Sequence, residues 1–175
     1  MKKFSILIPL ITSVLCVALL TRIHTTNEFT FSIPYSSLTT EARRQVDCLT
    51  DNIFFEAGIE STEGKTAVAL VTLNRTVDDR FPKDICSVVK QKTTNSQGQQ
   101  VCQFSWFCEP AKTGRDSYAY RQSKSVALDV YANYEKLVDI TNGALFYHTK
   151  QISPGWNSLE KTVIIGNHVF YVPKT

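Results

Sequence analysis

Apolar residues recur at helical spacing along most of this chain, then give way after about residue 143 to short runs rich in β-branched and aromatic residues. Helices first and strands afterwards predict an α+β fold, with a helical lobe followed by a small antiparallel β lobe. Thr39 is a good N-cap with Glu41 in the first turn, so the first helix should run to about Ala57 and stop at Gly58. A second follows at once, capped by Ser61 or Thr62, with Ala67, Leu70, Val71 and Asn74 on its inner face, and ends at Asp78-Asp79-Arg80 and Pro82. A short apolar element over residues 85–89 leads into a polar stretch over 93–100, read as a surface loop. A third helix is expected over residues 117–138, with Ala127, Val130, Tyr131, Tyr134, Leu137 and Val138 on one face. Strands are expected over 144–148, 162–165 and 168–172, the last two joined by a Gly166-Asn167 hairpin turn.

One residue breaks the first helical stripe. Val46, Leu49 and Ile53 recur at spacings of three and four, and the next position in the row is Glu56. A carboxylate is thereby aimed at the core side, close to the helix C-terminus. Burial and the negative end of the helix dipole both disfavour its charge, which should raise its pKa toward the range of a general acid. The plainer alternative is a core-edge glutamate hydrogen-bonded to backbone. Glu60 and Glu63 lie near the start of the second helix, where the dipole already favours carboxylates.

Lys2 and Lys3 precede an uncharged apolar run over residues 4–20, followed by Arg22 and His24. This reads as an export segment, so residues 1–24 form a signal peptide or membrane anchor and the protein belongs in the periplasm or cell envelope. The run spans about 26 Å as a helix, short of a bilayer's roughly 30 Å core, yet no small-x-small cleavage site follows. Cleaved signal and retained inner-membrane anchor both stay open. Residues 25–38, with Pro34 and several Ser and Thr, read as a linker to a domain over 39–175. Losing the leader removes Lys2, Lys3 and Arg22 from 19 basic residues and leaves 16 against 16 acidic ones. A neutral domain argues against nucleic acid as a partner. A monomer is expected.

Cys16 falls within the apolar run with no lipobox before it, whereas Cys48, Cys86, Cys102 and Cys108 lie in the domain. In an exported protein these four are consistent with two disulfides. A bridge among Cys86, Cys102 and Cys108, pinning the polar loop between them, is the preferred pairing. Cys102 and Cys108 with His148 and His168 make no zinc knuckle, so neither metal nor cofactor is expected. Between these cysteines, Phe104 suits a core position, and Trp106 suits either core packing or a platform for a sugar ring.

Five blocks in order carry a resemblance. They are Phe55-Glu56-Ala57-Gly58-Ile59-Glu60 with Glu63-Gly64, Ala67-Val68-Ala69 and Leu73-Asn74-Arg75; Phe81-Pro82 with Ile85-Cys86-Ser87-Val88-Val89; Cys102-Gln103-Phe104-Ser105-Trp106; Gly143-Ala144 with Tyr147-His148; and Ile165-Gly166-Asn167-His168-Val169-Phe170-Tyr171. Together they resemble the catalytic domain of the spore-cortex-lytic, SleB/CwlJ-type cell wall hydrolases, over nearly all of residues 46–171. The resemblance implies a lysozyme-like domain that cleaves the glycan strand of peptidoglycan between N-acetylmuramic acid and N-acetylglucosamine. It also implies that Glu56, the first glutamate of its block, is the catalytic acid. Glu60 matches the second, for which no catalytic role is implied. The family usually has Arg-Gly after Glu-Ala, where this chain has Gly58-Ile59, so whatever that arginine positions is absent or supplied elsewhere.

A conventional glycosidase needs a second carboxylate about 5 Å or about 6.5–9.5 Å from the first. With one confident carboxylate, the preferred reading is lytic transglycosylation, with Glu56 first as acid and then as base. Hydrolysis follows if Glu60 or Glu63 reaches the cleft. Gln103, Ser105 and Trp106 are expected on a binding loop, and Tyr147, His148, Asn167 and His168 on the strand side, as substrate contacts or support. Two other classes compete: a Cys/His amidase or peptidase acting on the wall peptide, pairing one of the four cysteines with His148 or His168, and a non-catalytic wall-binding protein.

Overall fold

A computed structural model describes residues 33–95, 97–109 and 114–174. The leader, Cys16 and most of the expected linker lie outside the described residues. Among those described, no helix is long and apolar enough to cross a membrane.

Helix α1 spans Thr40–Ala57, and the Thr39 side chain accepts the Ala42 N–H at 3.1 Å, closing its first turn. Helix α2 spans Thr62–Val77 and is capped in the same way by Ser61, which accepts from Gly64 N–H. Gly58 ends α1 in a right-handed conformation, so freedom at positive φ is not its purpose. A Cβ there would collide with the Phe54 carbonyl oxygen, and only glycine fits. Helix α3 is the single short turn Ile85–Val89, capped by Asp84, and α4 spans Tyr118–Asn133. The third helix is thus shorter than its periodicity suggests. The chain tightens into a 3-10 turn over Tyr134–Lys136, and Val138 is exposed.

The apolar stripe of α1, Val46, Leu49 and Ile53, is fully buried against Ala69, Leu70 and Leu73 of α2, Ile85 and Val89 of α3, and Val126, Ala127 and Val130 of α4. A second cluster joins Ala67 and Val71 of α2 to Ala144 and to Ile165 and Phe170 of the C-terminal sheet. Helix α2 therefore lies between two cores. Every residue from Ala67 to Arg75 is buried, far more than the single inner face expected from its spacing. At the other end of the described chain, Tyr35 packs on the helical core and donates to Asp47 at 2.6 Å, so residues just before α1 are attached to the domain.

The polar stretch expected as a loop is a small hairpin, β1 (Lys92–Thr94) antiparallel to β2 (Gln100–Cys102). Its residues are nearly all exposed, so no apolar alternation signals strands. Disulfides join Cys48 to Cys86 and Cys102 to Cys108. The first ties α1 to α3. The second closes the turn that carries Phe104 and Trp106. Neither bridge pins the 93–100 segment, which is held by its own strand pairing.

The C-terminal sheet has the order β3-β5-β4, all antiparallel, with β3 over Phe146–Thr149, β4 over Leu159–Ile165 and β5 over His168–Pro173. Gly166-Asn167 forms the two-residue turn between β4 and β5, and Gly166 has φ 54°, which few side chains tolerate. Tyr147 pairs with Phe170 across the sheet, on the face that packs against α2.

Candidate active site

Glu56 closes the apolar row of α1 at the place where the helical core ends and the sheet begins. It is partly buried, less deeply than the row it continues. From β3 the Tyr147 hydroxyl donates to its carboxylate at 3.1 Å, bridging 91 residues of sequence. The Tyr147 ring lies 5.7 Å from Phe170 and edge-on to His168 at 5.2 Å. Burial, the negative charge of Glu56 and the hydrogen bond to it push the Tyr147 phenol well above its ordinary pKa, so it remains a donor.

Beneath this pair lies Arg75, only 2% exposed near the end of α2. Its Nε donates to the Leu145 carbonyl at 2.8 Å, directly before β3. The guanidinium carbon sits 5.1 Å from the ring centroids of Phe81 and Phe104 and 5.7 Å from that of Phe146. Burial lowers its pKa from the arginine value, and electrostatic interaction with Tyr147 and Glu56 opposes that shift. In the sequence Arg75 stands only as the last residue of the Leu73-Asn74-Arg75 motif. The missed signal is that an arginine just beyond Ala67–Leu73 continues a helix buried on every side.

The 103–107 turn meets α1 one helical turn before Glu56. Trp106 stacks on Phe55 with ring centroids 4.6 Å apart, and its indole N–H donates to buried Asn52 at 3.1 Å. Asn52 in turn donates to Thr72 at 3.0 Å, so α1, α2 and the turn are joined by one polar chain. One edge of Trp106 is therefore committed to packing, and Asn52 is a supporting residue that the sequence did not single out. Gln103 is partly buried, with its backbone N–H bonded to Gln91, and Ser105 is exposed.

On the strand side the expected residues separate. His148 lies on the face opposite Tyr147, stacked with Tyr171 and joined to its hydroxyl at 2.8 Å. Trp156, 38% exposed and not anticipated, packs edge-on to His148 and Tyr171 and completes an aromatic group with Phe146. His168 is 3% exposed beside Tyr147, and its Nδ1 has no hydrogen-bond partner among the described residues. Burial lowers its pKa, with Glu60 opposing and His148 adding to the shift, so it is neutral at pH 7. Asn167 and Glu60 bond one another: the Asn167 side-chain amide donates to Glu60 at 2.8 Å and its backbone N–H donates at 3.2 Å. Lys65 also donates to the Glu60 carbonyl. Glu60 thus fastens the β4–β5 turn to the end of α1. Glu63 is exposed on the first turn of α2.

A carboxylate with a phenol donor and a buried cation at its back can release a proton and carry the resulting charge. Among the described residues a thiol mechanism finds no nucleophile, because Cys48, Cys86, Cys102 and Cys108 are all bonded in disulfides. Among the described residues, no three His, Cys, Asp or Glu side chains come together as metal ligands.

Residues 59–171 match the model of a family described as Cell Wall Hydrolase. The fold is similar to the catalytic domain of the germination-specific lytic transglycosylase SleB from Bacillus anthracis, at 20% identity and a TM-score of 0.56, over 80% of this chain and 100% of that one. The catalytic domain of SleB from Bacillus cereus matches at 19% identity and a TM-score of 0.50, over 84% of this chain and 99% of that one. Both share the α+β architecture of a helical lobe and a small antiparallel sheet. Among the curated proteins none matches the chain.

Proposed function

Since the chain belongs to the cell wall hydrolase family, we propose that it cleaves the glycan strand of peptidoglycan as a lytic transglycosylase, with Glu56 as its acid and its base. The family match begins three residues beyond Glu56, so the role of this residue rests on its surroundings. One observation carries it: Glu56 joins the two lobes through Tyr147 and lies in the field of Arg75. Of the other two carboxylates weighed, Glu60 is bonded to Asn167, and Glu63 is exposed on the first turn of α2. A single-carboxylate mechanism suits that arrangement better than the two-carboxylate geometry of a hydrolase.

In the first step the Glu56 carboxyl gives its proton to the oxygen linking N-acetylmuramic acid to N-acetylglucosamine. The glycosidic bond breaks as positive charge builds on the sugar carbon. The Glu56 carboxylate then takes the proton of the same sugar's 6-hydroxyl, whose oxygen closes a 1,6-anhydro ring. Proton and electron pair balance without water. Tyr147, and Arg75 behind it, stabilise the carboxylate between the two steps. Gln103, Ser105 and the outward side of Trp106 form one wall of the cleft, and Tyr147 forms the other, with His168 behind it. His148 and Asn167 support the strands. The substrate lies outside the cytoplasmic membrane, which agrees with the export segment read at residues 1–24, and the protein acts in the envelope as a monomer.

Mass spectrometry of soluble products released from purified sacculi tests this. Anhydromuropeptides from the wild type and none from Glu56→Gln are expected. Reducing-end muropeptides would replace transglycosylation by hydrolysis, and sacculus binding without products would leave a wall-binding protein.

A further inference from the structure

We propose that Arg75 is a positioning residue for the Glu56 reaction: its buried guanidinium sets the start of β3, and with it Tyr147, against Glu56, and is the fixed positive charge beside which the Glu56 carboxylate forms. This deepens the reading above and rests on Glu56 being the proton donor.

Several independent features lead to it. Burying a guanidinium is costly unless charge and hydrogen bonds compensate, and Arg75 is 2% exposed. Its Nε is spent on the Leu145 carbonyl, two residues before Tyr147, so the same bond that holds Arg75 fixes the strand that presents the phenol. Phe81, Phe104 and Phe146 surround the cation and exclude water, which strengthens its field. Its Nη1 is buried with no hydrogen-bond partner among the described residues, so part of its donor capacity is unspent. A side chain kept only to fill the space between three phenylalanines would not need a charge.

The ionisable groups around the pair come from each neighbouring element. Glu56 belongs to α1, Arg75 to α2, Tyr147 to β3 and His168 to β5, while Glu60 lies beyond His168 and is bonded to Asn167. The 103–107 turn contributes none. Tyr147 remains protonated and His168 neutral at pH 7, so among these groups Arg75 carries the fixed positive charge.

The test is kcat/KM against pH on soluble glycan strands for wild type, Arg75→Gln, Arg75→Lys and Glu56→Gln, with folding monitored by circular dichroism. A proton donor loses activity as it ionises, and a neighbouring cation favours ionisation. Arg75→Gln retains a donor for Leu145 but no charge, so its alkaline limb should move up by about one pH unit, with kcat down about tenfold or more. Arg75→Lys should keep the limb within about 0.3 units while kcat falls about tenfold through lost geometry. A folded Arg75→Gln with the wild-type limb overturns the proposal. Should that variant fail to fold, Arg75→Lys decides alone, and either a displaced limb or a wild-type kcat overturns it. Activity in Glu56→Gln would instead overturn the proposed function itself.

Discussion

Glu56 and Glu60 stand four residues apart, one at the end of α1 and one in the turn beyond it, and each joins the helical lobe to the sheet. The two junctions are built from opposite chemistry. Glu60 receives the backbone and side-chain amides of Asn167, neutral donors that neither take up nor release protons. Glu56 receives a phenol and sits in the field of a buried guanidinium. An amide pair makes a fastening, whereas a phenol and a cation suit a group whose charge must change. On the proposed function, two carboxylates so close in sequence serve separate ends: Glu60 fastens the lobes together, and Glu56 works across the junction.

Replacing each in turn is the most severe test. Glu56→Gln should lower turnover by about 10²- to 10⁴-fold, the usual contribution of a general acid, while the protein melts at the wild-type temperature. Glu60→Gln should keep turnover within about tenfold and lose about 1 kcal/mol of stability, since one acceptor oxygen and an exposed charge are lost. Equal loss of activity in a folded Glu60→Gln would break the comparison and restore a second catalytic carboxylate. Next in size, Tyr147→Phe removes the donor to Glu56 and leaves the ring. A hydrogen bond to a charged group is worth about 1.5–3 kcal/mol, so kcat should fall roughly tenfold to a hundredfold with KM little changed. An unchanged kcat would mean that the phenol merely packs.

The fastening has its own sharp probe. Gly166 adopts φ 54°, and a Cβ there would run into the Glu60 carboxylate. Gly166→Ala should therefore cost about 1–2 kcal/mol from backbone conformation alone and more from the displaced Glu60. In thermal denaturation each 1 kcal/mol lowers Tm by about 2–4 °C for a domain of this size. A stabilised Gly166→Ala would mean that the turn and Glu60 are not in contact.

These two junctions also mark how far the sequence can be read. The Thr39 and Ser61 caps, the end of α1 and the Gly166-Asn167 turn are local signals, and each appears where its chemistry requires. The hairpin at 92–102 was hidden because its strands are short and polar. Helix α2 showed an inner face at helical spacing, but a periodicity argument cannot see a second core on the other side of the helix. Arg75 was overlooked for the same reason. Trp106 fits both readings offered for it until Asn52, 54 residues earlier, is seen to accept its indole N–H. Glu56 stood out as a misplaced carboxylate, yet Tyr147 bonding to it, and Glu60 bonding to Asn167, are contacts across 91 and 107 residues that only folding brings together. Cysteine spacing likewise allowed three pairings, and the observed one follows from where α1 meets α3.

The smallest expected effect falls on His168, which lies between the two junctions. Its ring meets Tyr147 edge-on at 5.2 Å, and Glu60 is the negative charge that acts on it from the other side. Burial outweighs that charge and depresses its pKa below the ordinary 6.5. The unfolded chain therefore binds a proton at this residue more readily than the folded protein does. Stability contributed by the depressed pKa is complete above about pH 6.5 and is lost as pH falls through that value toward the folded pKa. His168→Gln should flatten this part of the stability-versus-pH curve, measured by urea denaturation between pH 7.5 and pH 5, without moving the alkaline limb of activity. A neutral amide at this position keeps the Glu60 fastening and the Tyr147 contact free of a new charge. If the slope below about pH 6.5 were the same in wild type and variant, the acid sensitivity would belong to the carboxylates instead, and His168 would be a packing residue between two junctions that do not communicate through it.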